Sequence, residues 1–214
     1  MSLVIALPKG RLLAPALELL ARAGIEPVED PRRSRKLILE GRPFQGHPLR
    51  FLVMRAMDVA TFVERGAADC GIVGRDLLLE QRPRVLEPIS LGIGRCRLVV
   101  AARNGARSLP QPGARVHVAT KYGRLAREWF AARGVEADIV KLYGSIELAP
   151  LVGLADYIVD LVETGRTLKE NDLAELATIA PIESRWIVNP GAMATKHEAI
   201  AAILEAVAGA KEEA

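Results

Sequence analysis

The sequence predicts an α/β fold divided between two lobes. Short apolar runs of strand length alternate along the chain with segments whose apolar residues recur at helical spacing. Residues 103–115, rich in Asn, Gly, Ser and Pro, open a second series of the same alternation. The composition is that of an ordinary globular protein, 50% hydrophobic and 26% charged over 214 residues, enough for one large domain or two smaller lobes.

Leu3 to Leu7 reads as a buried strand, Pro8-Lys9-Gly10-Arg11 as the turn after it, and Leu12 to Ala23 as a helix stopped by Gly24. This unit carries neither GxGxxG nor GxxxxGK(S/T), so neither a dinucleotide fingerprint nor a Walker loop holds phosphate here. Leu37 to Glu40 and Leu49 to Met54 are strands around a turn region at 41–48. Arg55-Ala56 leads into a helix with Val59, Phe62 and Val63 inward, ending at Gly66. Cys70 to Val73 is a short buried strand, Gly74-Arg75-Asp76 a turn into another helix, and Val85 to Leu91 and Arg97 to Ala102 are extended.

In the second series, Val116 to Ala119 is a strand, and Thr120 is the expected N-cap of a helix running through Arg133 to Gly134. Ala137 to Leu142 is the next strand, with Tyr143-Gly144-Ser145 turning into a short helix over Ile146 to Val152. Tyr157 to Leu161 is a buried strand, and Ala174 to Val188 is extended with a break near Pro181. Thr195-Lys196-His197-Glu198 has the form of a capping box opening a last helix with Ile200, Ile203, Leu204 and Val207 on one face. The division expected is residues 1–92 with 181–214 as lobe I and 93–180 as lobe II, with ligand in the cleft between lobes.

Several function classes lose support from composition. The net charge is +3, the basic residues are scattered, and aromatics are only 4%, which leaves few stacking platforms for nucleic acid. No apolar run reaches membrane-spanning length, and the first residues lack the pattern of a signal peptide, so a cytoplasmic protein is expected. The two cysteines, Cys70 and Cys96, form no CxxC and read as small buried apolar residues. His47, His117 and His197 lack metal-ligand spacing, and Trp129 and Trp186 read as core or interface.

The stretch from Glu147 to Leu168 is the most informative. An apolar strand carries Asp160 near its end and passes through Glu163 into Thr164-Gly165-Arg166-Thr167. Hydroxyls, a glycine and backbone N–H groups thus gather at the carboxyl edge of a sheet, where open α/β sheets bind ligands. Such a turn favours phosphate, helped by the helix start that follows. Acidic side chains beside it suit a ligand that also carries sugar hydroxyls or Mg²⁺.

The specified positions Glu147, Gly153, Ala155, Ile158, Asp160, Leu161, Thr164, Gly165, Thr167 and Leu168, at this spacing, resemble the signature of the ATP phosphoribosyltransferase family. Leu7 to Arg11, Ser34 to Leu37, Arg55 to Val59, Ala119 to Tyr122 and Lys141 to Gly153 are similar to that family as well, so the likeness spans essentially the whole chain. The resemblance implies transfer of a 5-phosphoribosyl group from phosphoribosyl pyrophosphate to N1 of ATP, with Mg²⁺, as the first step of histidine biosynthesis. It implies two α/β lobes like the type II periplasmic-binding-protein arrangement. It also implies the short form, with no C-terminal regulatory domain and with a histidyl-tRNA-synthetase-like regulatory subunit in a hetero-octamer.

The chemistry assigns roles to residue types. Displacing pyrophosphate from a ribose carbon passes through a cationic state, and adenine N1 already has its lone pair, so positioning and charge stabilisation outweigh a strong base. Thr164, Gly165, Arg166 and Thr167 are the candidates for the 5-phosphate. Asp160 and Glu163 are the candidates for the ribose hydroxyls, with Asp160 the candidate contact to a metal carried on the substrate phosphates. Glu147 serves that site or pairs with an arginine of its own neighbourhood. Lys9, Gly10, Arg11, Arg35 and Arg55 are the candidates for ATP and pyrophosphate, since arginine forks match phosphate oxygens; Arg55 is placed with Asp160 and Glu163 among the catalytic candidates. Lys121 and Tyr122 are secondary candidates at the start of a helix. The competing reading, a cytoplasmic solute-binding or sensor module of the same two-lobe fold, leaves the acid-flanked phosphate turn without a use.

Overall fold

A computed structural model describes residues 2–105 and 108–212. Two residues of the expected 103–115 loop, 106 and 107, and the chain ends, 1 and 213–214, lie outside that description. The chain forms two compact units, Met1–Gly94 with Glu183–Ala214, and Arg95–Ile182. Both boundaries fall two residues later than the sequence reading put them, at Gly94 and Ile182.

The first unit begins with β1 (Leu3–Pro8), α1 (Leu13–Arg22), β2 (Ile38–Glu40), β3 (Leu49–Met54), α2 (Ala56–Glu64), β4 (Cys70–Gly74), α3 (Arg75–Gln81) and β5 (Leu86–Ser90). The second unit follows with β6 (Cys96–Arg103), β7 (Arg115–Thr120), α4 (Gly123–Ala131), β8 (Glu136–Lys141), α5 (Leu148–Leu151), β9 (Tyr157–Val162), α6 (Arg166–Glu170) and β10 (Leu173–Ile182). The chain then returns to the first unit as β11 (Ser184–Val188), α7 (Pro190–Thr195) and α8 (His197–Glu212).

The first sheet has the order β2-β3-β1-β4-β11-β5. Its centre is parallel, β3 and β4 flanking β1, and β11 joins antiparallel to β4. Strands covered on both faces read as continuous apolar runs, which is why β1 and β4 carry almost no polar residue. Leu13, Ala16, Leu19 and Leu20 of α1 and Ile200, Ile203 and Val207 of α8 join the β1 and β3 side chains in one core. The second sheet has the order β10-β6-β9-β7-β8, with β7 parallel to both β8 and β9 and with β6 antiparallel to β9 and β10. Val99, Ala101, Ala119, Ile158 and Val162 pack there with Ile146, just before α5, Ala149 of α5 and Leu168 of α6. Among the described residues no helix is long and apolar enough to cross a membrane.

Five local expectations change. Thr120 is not a helix cap: it ends β7 fully buried, its hydroxyl donating to the Val159 carbonyl at 2.6 Å and accepting from the Tyr122 N–H at 2.9 Å. A hydroxyl at a strand end closes the turn across the sheet, and α4 starts only at Gly123 without a side-chain cap. The capping box at Thr195–Glu198 does not form, because Thr195 ends α7 and donates to the Gly191 carbonyl at 2.9 Å. The cap used instead is Asn189, which accepts from the Ala192 N–H at 2.9 Å with Pro190 in the first turn. Pro181 lies within β10 rather than breaking it; β10 is an edge strand, where a missing N–H costs nothing, and the break falls at Glu183 between the units. Phe62 of α2 is 41% exposed, leaving Val59, Ala60 and Val63 as the inward residues. Cys70 is buried as expected, whereas Cys96, at the open start of β6, is only half-buried.

Candidate active site

In the second unit, β7, β8 and β9 run parallel, so the segments that leave them share one edge of the sheet. Lys121 and Tyr122 leave β7, residues 142–147 leave β8, and Glu163 to Thr167 leave β9. The antiparallel β6 begins at the same edge, with Arg97 opposite Val162.

The turn after β9 is shaped by Gly165, at φ +79° and ψ 1°. That left-handed conformation is open to glycine and strained for an L side chain. The Thr164 hydroxyl accepts the Arg166 N–H at 3.4 Å, which curls the chain into α6. Leu168, buried in the core, anchors that curl, while Thr164 and Thr167 stay exposed. Among the described residues, the turn and loop hydrogen bonds give the N–H groups of Thr164 and Gly165 no acceptor, unlike that of Arg166. With only five residues, α6 adds little dipole, so the turn's own N–H groups and hydroxyls make the anion site. The Arg166 guanidinium pairs with Glu170 at 2.7 Å, so Arg166 offers the turn chiefly its backbone.

Asp160 sits in β9 opposite Val99, half-buried, one carboxylate oxygen accepting the Leu161 N–H at 2.8 Å. Its place between Ile158 and Val162 puts it on the core face of the sheet, near the edge. Glu163, one residue beyond β9, is exposed. Glu147 is half-buried just before α5, held there by the buried Ile146, and no arginine pairs with it among the described residues. The loop leading to it passes through Ser145 at φ +49°, a left-handed non-glycine residue of the kind that clusters at ligand sites. Of the two secondary candidates, the Tyr122 side chain is fully buried, and its backbone N–H donates to the Thr120 hydroxyl. Lys121 lies half-buried, its ammonium 4.9 Å from the centre of the Tyr122 ring.

The sequence reading missed Arg97. Its Nη1 donates to the Glu163 carbonyl at 3.2 Å, while Nε and Nη2 grip the Glu175 carboxylate at distances from 2.6 to 3.0 Å. The Thr178 hydroxyl also donates to Glu175, at 3.0 Å. These bonds hold the Glu175 carboxyl below its ordinary range, the hydrogen bonds from Arg97 contributing most, and raise the already high value of the guanidinium. The available signal was a single charge heading the apolar strand Leu98 to Ala102.

In the first unit, the parallel strands β1, β3 and β4 likewise end at one edge, at Pro8, Met54 and Gly74. The Lys9 N–H donates to the Met54 carbonyl at 2.7 Å, tying the first turn to the end of β3. Gly10, at φ +87°, then turns the chain so that Leu13 donates back to the Gly10 carbonyl at 3.0 Å, and Lys9, Gly10 and Arg11 stay exposed. Arg55 occupies the cap position of α2 and is exposed. Because β2 is antiparallel to β3, the exposed Arg35 just before it belongs to the same edge. Lys9, Arg11, Arg35 and Arg55 are therefore gathered on one sheet edge although 46 positions separate the first from the last (55 − 9). The missed neighbour is Asp76, 6% exposed, whose Oδ1 lies 2.2 Å from where a side chain at Gly74 would begin.

The family model described as HisG, ATP phosphoribosyltransferase, matches residues 55–209. An ATP phosphoribosyltransferase of Halorhodospira halophila is 52% identical over 210 residues, covering 98% of this chain and 95% of that protein. Among solved structures, the ATP phosphoribosyl transferase (HisG:HisZ) complex from Thermotoga maritima aligns with a TM-score of 0.85 at 33% identity, over 99% of this chain and 100% of that one. A histidine kinase sensor domain with similarity to periplasmic binding proteins aligns with a TM-score of 0.57 at 12% identity, over 100% of this chain and 91% of that one, which shows the shared fold alone.

Proposed function

Because the chain belongs to the ATP phosphoribosyltransferase family, it joins the 5-phosphoribosyl group of phosphoribosyl pyrophosphate to N1 of ATP, the first step of histidine biosynthesis, and we propose that its second unit holds the phosphoribosyl donor. One observation carries the proposal: the Thr164–Thr167 turn, opened by Gly165 at φ +79°, stands at the carboxyl edge beside the half-buried Asp160.

In the reaction the bond from the ribose carbon to pyrophosphate breaks, its electron pair leaving with the pyrophosphate oxygen. The lone pair of adenine N1 forms the new bond. Between the two the ribose carries positive charge, which fixed carboxylates stabilise without reorganising. In the proposal Thr164 and Thr167 donate hydroxyls to the 5-phosphate, with the backbone N–H groups of Thr164 and Gly165, while the Arg166 N–H holds the Thr164 hydroxyl. Asp160 and Glu163 accept from the ribose hydroxyls and face the developing charge, and Glu147 completes the acidic side. Lys9, Arg11, Arg35 and Arg55, with the backbone at Gly10, take the ATP phosphates and the departing pyrophosphate; Arg55 stabilises the leaving group as its charge grows.

Mg²⁺ fits this set as an ion carried on the substrate. Among the described residues no group of three or more His, Cys, Asp and Glu side chains stands close enough to hold an ion. Asp160 and Glu163 offer one or two carboxylates, the complement with which Mg²⁺ binds when phosphates and water fill its remaining positions. When bound, the ion supplies charge neutralisation at the pyrophosphate. The Thermotoga relative is a HisG:HisZ complex by name, which supports a HisZ-like regulatory partner for this chain; that this partner resembles histidyl-tRNA synthetase, that the assembly is a hetero-octamer and that the setting is cytoplasmic are our proposals, drawn from the family resemblance.

The test mixes the protein with ATP, phosphoribosyl pyrophosphate and Mg²⁺, with inorganic pyrophosphatase present, and follows the ultraviolet change of N1-substituted adenine. A signal that requires all three is expected, and that falls when Asp160→Asn or Thr164→Ala is introduced. No signal with or without the regulatory subunit overturns the activity; full activity in both variants overturns the site.

A further inference from the structure

We propose that Arg97 is a positioning residue for the phosphate turn, acting through a clamp that Glu175 holds shut; this rests on the reading of Thr164–Thr167 as the 5-phosphate site. Arg97 stands in β6, opposite Val162 at the end of β9, two residues before the turn begins at Thr164. One nitrogen of its fork donates to the Glu163 carbonyl at 3.2 Å, and the other side closes on both Glu175 oxygens. The Thr178 hydroxyl also donates to Glu175 Oε1 at 3.0 Å, an oxygen that Arg97 Nε takes as well. A planar guanidinium held along two edges cannot swing, so the carbonyl it grips is fixed as well.

Fixing that carbonyl has a directional consequence. The peptide that presents the Glu163 carbonyl to Arg97 carries the N–H of Thr164 on its opposite side. Holding the oxygen toward β6 therefore aims the first amide of the turn away from β6. The guanidinium also underlies the glycine: a side-chain carbon added at Gly165 would lie 3.9 Å from Arg97 Nη2 and from Val162 Cγ1. Arg97 thus supports the turn from beneath over the residues whose backbone conformation the anion site requires. Glu175 is spent on Arg97 and Thr178, which makes the carboxylate part of the support.

A direct phosphate contact by Arg97 is the competing role, and Glu175 separates the two by sign. If Arg97 bound phosphate itself, removing the Glu175 charge would free a cation and leave donor binding equal or tighter. If Arg97 positions the turn, Glu175→Gln loosens the clamp and weakens donor binding while Arg97 keeps its charge. Arg97→Lys retains a cation without the fork, so it fails as a positioning residue and succeeds as a simple charge.

The experiment measures phosphoribosyl pyrophosphate affinity by calorimetry on the full chain, with Michaelis constants for both substrates and melting temperatures, for wild type, Arg97→Lys, Glu175→Gln and Thr164→Ala. The expected result is donor binding weaker by roughly ten-fold in Arg97→Lys and several-fold in Glu175→Gln, the scale of a lost charge-assisted hydrogen bond. The Michaelis constant for ATP changes less than about two-fold, since the loss is confined to the donor. Equal or tighter donor binding in Glu175→Gln overturns the inference, and does so even if Arg97→Lys fails to fold. Loss of donor and ATP affinity together, in parallel with melting temperature, also overturns it, as a structural role alone. Unchanged binding in Thr164→Ala removes the phosphate turn and the inference with it; weakened binding there with unchanged binding in both other variants removes the inference only.

Discussion

Gly165→Ala changes one atom, and the structure sets its cost. At φ +79° and ψ 1° the residue is left-handed, a conformation that costs an L side chain about 1–2 kcal/mol. The added carbon meets only Arg97 and Val162, both at 3.9 Å, an ordinary contact, so no steric term is added. The strain is borne in one of two ways. If the turn keeps its shape, stability falls by about 1–2 kcal/mol, which for a chain of this size lowers the melting temperature by roughly 2–8 °C. If the turn relaxes, stability is spared and the same free energy is charged to ligand binding, weakening it roughly 5–30-fold. Thermal melts with and without phosphoribosyl pyrophosphate, together with calorimetry, separate these cases. Gly153→Ala is the control: it has φ +74° and open space around it, away from the turn, so it bears a similar strain without touching donor binding. A folded Gly165→Ala protein with wild-type stability and wild-type donor affinity rules out a strained Gly165 in the donor site, and so does equal loss of affinity in Gly153→Ala.

Lys196→Met leaves the Asp69 carboxylate, 8% exposed, without the ammonium that reaches it at 2.7 and 2.9 Å. With Lys196 itself a quarter exposed, a loss of roughly 2–3 kcal/mol is expected in urea unfolding, below the full cost of breaking a deeply buried pair, and an unchanged midpoint contradicts it. Burial, with the neighbouring Asp69 charge, pushes the Cys70 thiol well up, so iodoacetamide labels the half-buried Cys96 first. Equal labelling of the folded protein, read by peptide mass, is the contrary result. The depressed Glu175 carboxyl makes the Arg97 clamp pH-dependent in one direction: its stabilisation is complete above the ordinary glutamate value of about 4.3 and is lost as pH falls through the lower folded value. The melting-temperature gap between wild type and Glu175→Gln therefore persists at pH 7 and closes in acid; a gap that widens in acid contradicts the pairing.

What the sequence made legible was pattern and punctuation. The apolar run of β9, its acidic residue and the Thr-Gly-Arg-Thr turn lie within a dozen consecutive residues, so strand, edge and turn are read together. The parallel strands β1 and β4 announce themselves because both faces are covered. Hydroxyl caps were less legible, since a threonine bonds to whichever carbonyl the fold brings near. Thr120 found Val159, 39 positions away, and Thr195 found its own helix. Tyr122 is a secondary candidate by its place at a helix start, and the structure buries its side chain completely. Arg97 was invisible because its partner Glu175 is 78 positions distant, brought near only when β6 pairs with β10. Local spacing reports what a segment presents; the pairing register decides what faces it.

If the Thr164–Thr167 turn receives the 5-phosphate of phosphoribosyl pyrophosphate, the ligand perturbs the backbone N–H groups of that turn. Amide chemical shifts of the labelled full chain, followed as phosphoribosyl pyrophosphate and Mg²⁺ are titrated, test it most directly. The Thr164, Gly165, Arg166 and Thr167 amides are expected to move together and saturate at the affinity found by calorimetry, and ribose 5-phosphate alone is expected to move the same four. Saturable binding that leaves those four amides unmoved contradicts it.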